Sequence, residues 1–490
     1  MRRVLVVVAT LPLMGMGVAA AAAYTPGPVV PASPSVSPLA GCTITDTGPG
    51  TKYPNTELEP SLAINPKDPT NVVGTWQQDR WSSGAAAGSG FGASSNSGQT
   101  FTTGAIPRIT YCSGGSDFSR ASDPWLTFSP NGTLYQMGLV ETKVPSGGNT
   151  PTGMSVSRST DGGFTWGNPT FIAYDTDTSL FNDKNTITAD PYNSNYVYAI
   201  WDRLDAPPGK GSLKSSENTS GFRGPTLLSR TTDGGRTWEP ARIIYNLGTH
   251  NQTIGNQIVV LPNGTLVNLF NLIRNDNKGK IRGYNVAVIR SSDKGVTWDA
   301  NATIVSNLQY VQVTDPDTGA AVRTGDIIPE VAVDRTTGAL YAVWQDGRWA
   351  NGSYSHVAFS QSLDGGRTWS APVKIDNAPS NVSAFTPSVA VAGDGTVGVA
   401  YYDFRNNDAA AGLPTDYWFT SCASGCTSPS SWTETHVEGP FNMENAPVAR
   451  GYFLGDYQGI ATAGNNFGLL FARSGSTPST SDVVYTKVTP

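Results

Sequence analysis

One short turn motif recurs along the chain and limits the folds open to it. The pattern is S-x-D-x-G-x-T-W. The Asp can accept hydrogen bonds from backbone N–H groups in a tight turn, the Gly supplies a positive φ, and the Trp begins the next strand. Four good copies lie at 157–166, 229–238, 290–298 and 360–369, and a weaker copy, SSNSGQTF, lies at 94–101. Such repetition indicates an architecture built from one supersecondary unit.

A second repeat lies between these turns and reads as strand, tight Pro/Asn/Gly turn, strand. Its copies are roughly 55–75 residues apart and cover 59–81, 123–139, 183–203, 256–274, 329–349, 386–405 and 455–473. With a third strand before the turn motif and a fourth after it, each copy makes a four-stranded blade. The prediction is an all-β propeller of seven blades, with six as the alternative.

Two copies depart from the pattern. In the sixth, CASGCTSPSSW (422–432) replaces the turn motif, and a disulfide could restrain the turn instead. The seventh ends after its third strand at 482–488. We expect the segment from Cys42 to about Leu58 to supply the missing strand and to close the ring, since closure removes open sheet edges.

The N-terminus predicts export. Residues 1–23 contain Arg2 and Arg3, an apolar stretch and Ala21–Ala23, as in a signal peptide; an uncleaved membrane anchor is the alternative. Residues 24–41, rich in Pro and Ser, predict a flexible linker, and 42–490 a single propeller domain. No other apolar run is long enough to cross a bilayer. We expect a secreted monomer.

The chain has four Cys, and an even number in an exported protein favours disulfides. We predict Cys422–Cys426 as a small loop and Cys42–Cys112 as the remaining pair. A CxxxC metal site is the alternative, but no His lies near it. No cofactor is expected. The Asp-rich stretch at 175–184 is a weak hint of structural calcium and is better explained as a solvated loop.

Charged residues recur where first strands begin and second strands end, which in a propeller is one end of the central channel. They are Arg80, Arg203, Arg348, Arg405, Arg473, Asp346 and Asp403. Arg binds carboxylates in a bidentate manner, so this mouth suits an anionic carbohydrate. The net charge of −6 and the absence of a basic run argue against nucleic acid. The alternative is that repeated Asp/Arg pairs are structural ion pairs. Unrepeated residues, above all Tyr457, are better site candidates.

The turn motifs match the Asp-box, or BNR repeat, and over most of 59–473 the chain resembles the sialidase superfamily. That resemblance implies a Tyr nucleophile assisted by Glu, an Asp acid/base and three Arg that hold the substrate carboxylate. By chain order, Tyr457 resembles the nucleophile, Glu330 its partner and Asp123 the acid/base. Arg80, Arg348 and Arg405 resemble the three arginines.

Three functions follow from this reading. The first is a secreted, retaining exo-glycosidase of sialidase-like type that acts on a terminal acidic sugar. The second is a non-catalytic propeller that binds carbohydrate or protein at the cell surface, which a symmetric Asp/Arg ring would favour. The third is a polysaccharide lyase, in which Tyr or His would abstract a proton. It ranks last because the chain has only three His.

Overall fold

The computed structural model describes residues 23–43, 48–143, 149–206, 223–248, 250–275 and 281–490. The predicted signal peptide lies outside these residues, apart from Ala23. The described chain is all-β, with 31 strands and four short 3₁₀ helices at Tyr111–Ser113, Arg348–Ala350, Pro429–Ser431 and Met443–Asn445. In the described residues, no helix has the length and apolarity needed to span a membrane.

The strands follow one another in antiparallel meanders, here called units 1 to 7. Before them come β1 (Thr25–Pro26) and β2 (Val30–Pro31). Unit 1 contains β3 (Glu57–Ile64), β4 (Val72–Arg80), β5 (Ala86–Ser94) and β6 (Thr102–Ala105). Unit 2 contains β7 (Arg120–Phe128), β8 (Leu134–Lys143), β9 (Asn149–Ser159) and β10 (Thr170–Asp175). Unit 3 contains β11 (Leu180–Ala189), β12 (Val197–Asp205), β13 (Thr226–Thr231) and β14 (Arg242–Tyr245).

Unit 4 contains β15 (Gln252–Val260), β16 (Leu266–Asn275), β17 (Ile281–Ser291) and β18 (Thr303–Leu308). After β19 (Val322–Arg323), unit 5 contains β20 (Glu330–Val333), β21 (Leu340–Asp346), β22 (His356–Ser362) and β23 (Val373–Lys374). Unit 6 contains β24 (Ala384–Val391), β25 (Val397–Asp403), β26 (Pro414–Cys422) and β27 (Thr433–Asn442). After β28 (Tyr452–Phe453), unit 7 contains β29 (Gly459–Ala463), β30 (Asn466–Ser474) and β31 (Ser481–Thr489).

The first strands of the units lie side by side. Each contacts the first strand of the next unit, and β29 of unit 7 contacts β3 of unit 1. The hydrophobic core is divided in the same way, because each cluster fills the space between neighbouring sheets. Trp344 of unit 5, for example, packs with Leu269 of unit 4, and Leu62 of unit 1 packs with Leu470 of unit 7. The predicted strand pairs therefore form the inner part of every unit.

The fourth strand of unit 7 comes from a different segment than we predicted. Both β1 and β2 pair antiparallel with β31, whereas 57 and 58 belong to β3. The expected linker at 24–41 is thus in part an outer strand, and the Cys42–Leu58 prediction is wrong. Proline is tolerated there because an outermost strand needs N–H donors on one side only. Tyr24 anchors the segment, with its ring against Phe419 and Phe467 at 5.5 and 5.3 Å.

The turn motif connects the third and fourth strands, and each copy (hereafter a repeat turn) is closed by its own acidic side chain. In unit 2, Ser159 Oγ donates to Asp161 at 2.8 Å, and Thr165 donates through its N–H at 3.0 Å and its hydroxyl at 2.5 Å. The Thr N–H bond recurs at Asp233, Asp293 and Asp364, with Asn96 as acceptor in the weaker copy.

Both predicted disulfides, Cys42–Cys112 and Cys422–Cys426, are present. The second spans the connection between β26 and β27, where units 1 to 5 carry a repeat turn. A covalent link therefore takes the place of the Asp hydrogen bonds in unit 6.

Candidate functional site

The site begins with a repeated irregularity in the first strands. Each of β3, β7 and β11 shifts register within a few residues. Within these shifts, Glu59, Asp123 and Lys184 have φ of 53°, 51° and 42°. Such bulges leave one residue outside the ladder and redirect its side chain. A non-glycine residue with positive φ is strained, which the surrounding structure must compensate. Three successive units thus direct a charged side chain to one place.

Glu59 and Asp123 meet at the ammonium group of Lys184, together with Asp456. Lys184 Nζ lies 2.6 Å from Asp456 Oδ2, 3.4 Å from Asp123 Oδ2 and 3.5 Å from Glu59 Oε1. Arg323 adds a second cation through two bonds to Asp456, at 3.2 Å from Nε and 2.5 Å from Nη2. All five side chains are nearly buried. We call them the central cluster.

The carboxyl groups of the central cluster differ in protonation. Burial raises the pKa of Glu59 to about 8, against the opposing effect of Lys184. For Asp456, burial is outweighed by Arg323 and Lys184, which together hold its pKa well below the usual range. The two pKa values are shifted in opposite directions because Asp456 contacts both Lys184 and Arg323, whereas Glu59 contacts Lys184 alone.

Arg80, at the end of β4, is a buried cation beside this cluster. Its side chain is 2% exposed, one Nη donates to Gln77, and the guanidinium lies over Phe453 at 5.0 Å. Among the described residues it forms no ion pair, and its Nε has no hydrogen-bond partner. Burial, followed by the charge of Arg323, lowers its pKa to about 10. A buried guanidinium without a carboxylate is costly unless an anion reaches it.

A small cavity of about 110 Å³ opens onto these groups. Its walls include Arg80, Asp123, Lys184 and Arg323, together with the 82–85 loop of unit 1. Asp123 contributes a carboxylate oxygen, Oδ2, that has no hydrogen-bond partner among the described residues. Its other oxygen accepts from Ser122 Oγ at 2.6 Å. The cavity thus combines several cations with carboxyl groups, among them Asp123, which has an oxygen without a hydrogen-bond partner in the described residues.

Tyr457 lies next to Asp123. Its ring contacts Trp125 at 5.1 Å, and Lys184 Nζ lies 5.9 Å from its centre. The hydroxyl, however, donates to the Pro124 carbonyl at 3.3 Å, and the side chain is 5% exposed. Burial, and then Glu59 and Asp123, raises the pKa of Tyr457 well above its usual value. This environment keeps the phenol neutral, which is unfavourable for a phenolate nucleophile.

Glu330 is separate from this pair. It begins β20 and accepts from Ser388 Oγ at 3.0 Å and from the Val389 N–H at 3.4 Å. Burial raises its pKa to about 8. No hydrogen bond or ion pair connects Glu330 to Tyr457 or Asp123 in the part of the chain that the structure describes.

The other predicted mouth residues form ion pairs within or between neighbouring sheets. Arg348 binds Asp346 at 2.7 Å and Arg405 binds Asp403 at 2.6 Å, each beside a Trp ring. The remaining two pairs are Arg203 with Asp205 and Arg473 with Glu438. Each of these four arginines has a carboxylate partner, whereas Arg80 has none among the described residues.

Sequence reasoning missed Lys184 and Arg323. Lys184 had a usable signal, because D-K-N-T aligns with S-D-P-W and L-E-P-S at the bulge of the repeat. Arg323 had none, since it lies in the connection between units 4 and 5, where nothing repeats. It is positioned by parallel pairing of β19 with β28. Within the described residues, no group of three or more His, Cys, Asp or Glu side chains is arranged to hold a metal ion.

No protein-family model matches the sequence. No curated protein matches it either. Among solved structures, a Hadza microbial sialidase is 16% identical, with 85% of this chain and 76% of that chain covered and a TM-score of 0.47. The intramolecular trans-sialidase from Ruminococcus gnavus is 15% identical, with 93% and 98% covered and a TM-score of 0.43. An α-L-arabinofuranosidase from Fusarium graminearum is 11% identical, with 89% and 96% covered and a TM-score of 0.43.

Proposed function

We propose that the protein is a secreted glycoside hydrolase that acts on a terminal acidic sugar, with its site in the cavity beside the central cluster. The observation that carries this proposal is Arg80, a buried guanidinium on the cavity wall that has no ion-pair partner among the described residues and whose Nε has no hydrogen-bond partner there. A carboxylate on the substrate would supply the missing counter-charge, with Lys184 and Arg323 nearby. The volume of about 110 Å³ suits one substituent of a sugar more than an extended chain.

The scaffold we propose is a propeller of seven blades, one for each unit. Two observations support a closed ring: the contacts of consecutive first strands return from β29 to β3, and the core clusters continue from unit 7 to unit 1. In such a ring the first strands surround the central channel. The bulges that carry Glu59, Asp123 and Lys184 would then lie at its mouth.

Asp123 is the group we assign to the reaction. It lines the cavity, its Oδ2 has no hydrogen-bond partner among the described residues, and Lys184 Nζ lies 3.4 Å from that oxygen. Tyr457 is given a positioning role instead, because its hydroxyl is engaged by Pro124 and its environment opposes ionisation. Glu330 is left out of the site.

A non-catalytic binding protein is the second candidate, and one observation favours it. Lys184 and Arg323 both already bind Asp456, so much of the cationic charge is neutralised within the protein. In that case the cavity would bind an anionic glycan through Arg80 without cleaving it. The two candidates share a ligand and differ in turnover.

The test is hydrolysis of a fluorogenic sialoside and of a panel of acidic glycans by the purified protein. We expect turnover by the wild type, its loss in Asp123→Asn, and less than about a tenfold decrease in Tyr457→Phe. Loss of turnover in Tyr457→Phe would instead support Tyr457 as the nucleophile. Glycan binding without turnover on any substrate would establish the second candidate and exclude the first.

A further inference from the structure

A second cleft lies between units 2 and 3, at the end where the repeat turns are. Its volume is about 470 Å³, within the range of about 300–1,000 Å³ that is usual for ligand pockets. Within β8, Tyr135 lines this cleft and Glu141 lines the central cavity. The two sites therefore lie at opposite ends of one strand, and the cleft is separate from the site of the proposed function.

Two arginines line the cleft. Arg158 lies near the end of β9, and its Nη1 donates to the Gly234 carbonyl at 3.0 Å. Arg236, in the repeat turn of unit 3, is exposed, and its Nη1 donates to the Asp233 carbonyl at 3.1 Å. Among the described residues, neither guanidinium forms an ion pair, and no carboxyl side chain lines the cleft. Two positive charges are therefore left for a ligand.

A glycine explains why Arg158 has no carboxylate partner. In units 2, 3 and 4, the residue after the Trp of the repeat turn donates its N–H to the carbonyl of the arginine near the end of the third strand. In unit 3 this residue is Glu239, whose carboxylate binds Arg230 at 2.8 Å. In unit 2 it is Gly167, which lines the cleft. The missing side chain leaves Arg158 unpaired in the described residues and leaves room beside it.

The rest of the lining suits a sugar. Trp238 contributes a half-buried aromatic ring. Thr160, Thr170 and Asn168 contribute hydroxyl and amide groups that can donate and accept hydrogen bonds. Arg108 donates to Asn168 at 3.1 Å, which places a third guanidinium without an ion pair in the described residues beside the cleft. An aromatic ring, polar side chains and unpaired guanidinium groups together fit a sugar that carries a negative group.

An equivalent cleft between units 4 and 5 has a different charge. Its volume is about 640 Å³, and Arg290, Arg367 and Trp298 are among its lining residues. Arg290, however, binds Asp299 at 3.0 Å, and Asp364 also lines this cleft. Since two carboxyl groups accompany its two arginines, we expect this cleft to show no preference for an anion.

We propose that the cleft between units 2 and 3 is an accessory site that binds an acidic sugar of a polysaccharide. Arg158 and Arg236 bind the carboxylate or sulfate group of the sugar, and Trp238 packs against its ring. The site holds the polymer and takes no part in breaking a bond. It does not depend on the proposed function, because binding at this cleft needs no turnover.

Binding is tested by isothermal titration calorimetry with oligogalacturonate, its neutral methyl ester and a sulfated galactan oligosaccharide. We expect the wild type to bind an acidic oligosaccharide at least about tenfold more tightly than the methyl ester, and the one that it prefers identifies the anionic group. Arg80→Met should bind it as the wild type does, which separates the cleft from the central cavity. Failure to bind either acidic oligosaccharide, or binding that is lost in folded Arg80→Met, would overturn the proposal.

The position after the Trp gives the most specific variant. Gly167→Glu introduces the carboxylate that unit 3 has there, and it should lower the affinity for the acidic oligosaccharide by at least about tenfold. Gly167→Ala is the matched control, because its Cβ would lie 3.4 Å from the Arg158 carbonyl oxygen. It should bind within about threefold of the wild type. Equal affinities of the two variants would show that the ligand does not bind beside Arg158.

The two arginines at the same position of the repeat turn give a second comparison. Arg236→Gln removes the charge from the proposed site and should lower the affinity by at least about tenfold. Arg367→Gln removes the equivalent charge from the cleft between units 4 and 5 and should leave the affinity unchanged. Both side chains are exposed, so both variants should fold. An equal decrease in the two variants would indicate non-specific attraction to surface charge and would contradict the proposal.

Discussion

The two ends of the units use acidic side chains in opposite ways. At the repeat turns, an exposed or partly exposed Asp accepts hydrogen bonds from its own turn; at Asp293 the Thr297 hydroxyl and N–H lower its pKa to about 2. In the central cluster, buried carboxyl groups depend on partners from distant units, and the pKa of Glu59 is raised to about 8. Local bonds make the first group a stabilising element. Burial and long-range charge make the second group dependent on its neighbours.

The contrast also distinguishes side chains that repeat from unit to unit from side chains that differ between units. The Asp of the repeat turn has the same bonds in every good copy, so each copy serves its own sheet. The bulge position instead changes from Glu59 to Asp123 to Lys184 in successive units. One structural position thereby brings three different ionisable side chains, two carboxyl groups and one ammonium, to one place. A repeated backbone with varied side chains is how a symmetric scaffold acquires a single site.

The largest effect should come from removing the charge of Asp123. We expect Asp123→Asn to lower kcat/KM per folded molecule on an acidic glycoside by about 10²–10⁴-fold. Asp364→Asn, in a repeat turn, is the matched control and should keep its activity. Steady-state kinetics of both variants checks this; equal activity in the two would remove the distinction between the regions.

Removing the ammonium at the centre of the cluster should destabilise the fold. Lys184→Met leaves Asp123 and Asp456 with a lost partner, and breaking buried pairs in this way costs about 3–5 kcal/mol. Lys487→Met, on an outer part of β31 without an ion pair among the described residues, should change stability by less than about 0.5 kcal/mol. Urea unfolding of both variants measures the difference. A Lys184→Met protein as stable as the control would show that the cluster contributes nothing to stability.

A repeat turn should matter for stability and not for activity. Asp161→Ala removes the acceptor of the bonds from Ser159 and Thr165, which should cost about 1–2 kcal/mol. Urea unfolding checks the stability, and turnover per folded molecule should equal that of the wild type. A decrease in turnover with unchanged stability would contradict the structural role.

The two regions should respond to pH in opposite directions. The raised pKa of Glu330, about 8, gives stability that is present below its unfolded value and is lost as pH rises through about 8. The lowered pKa of Asp293, about 2, gives stability that is present above its unfolded value and is lost as pH falls through about 2. The free energy of unfolding is measured with urea at a series of pH values. Glu330→Gln should reduce its decrease between about pH 5 and 8, and Asp293→Asn should reduce its decrease below about pH 4. If neither substitution changes the pH dependence of the free energy of unfolding, Glu330 and Asp293 do not cause it.

The sequence allowed the local features to be predicted because their causes are local. The turn motif, the strand pairs and the Cys422–Cys426 loop each depend on neighbouring residues. Asp123 and Tyr457 were chosen by residue type and chain order, and the roles assigned to them stay predictions. The sequence did not decide whether Arg348 and Arg405 bind a substrate or a carboxylate of the protein, because the same pattern fits both.

The long-range features could not be predicted in this way. The pairing of β1 and β2 with β31 joins the two ends of the described chain, and its Pro-rich sequence is typical of a linker. Lys184 needed the bulge register to be seen as equivalent to Asp123. Arg323 depends on a parallel contact between two connections, which no periodicity reveals.

The central claim is that the cavity beside Arg80 recognises the carboxylate of an acidic sugar. The direct measurement is kcat/KM for two glycosides that differ only in a carboxylate or its neutral amide, with wild type, Arg80→Met, Arg80→Lys and the ion-paired control Arg348→Met. We expect the wild type and Arg348→Met to prefer the acidic glycoside by at least about 10²-fold, Arg80→Lys to keep part of this preference, and Arg80→Met to lose it. A wild type without preference, or a preference that survives in folded Arg80→Met, would contradict the account.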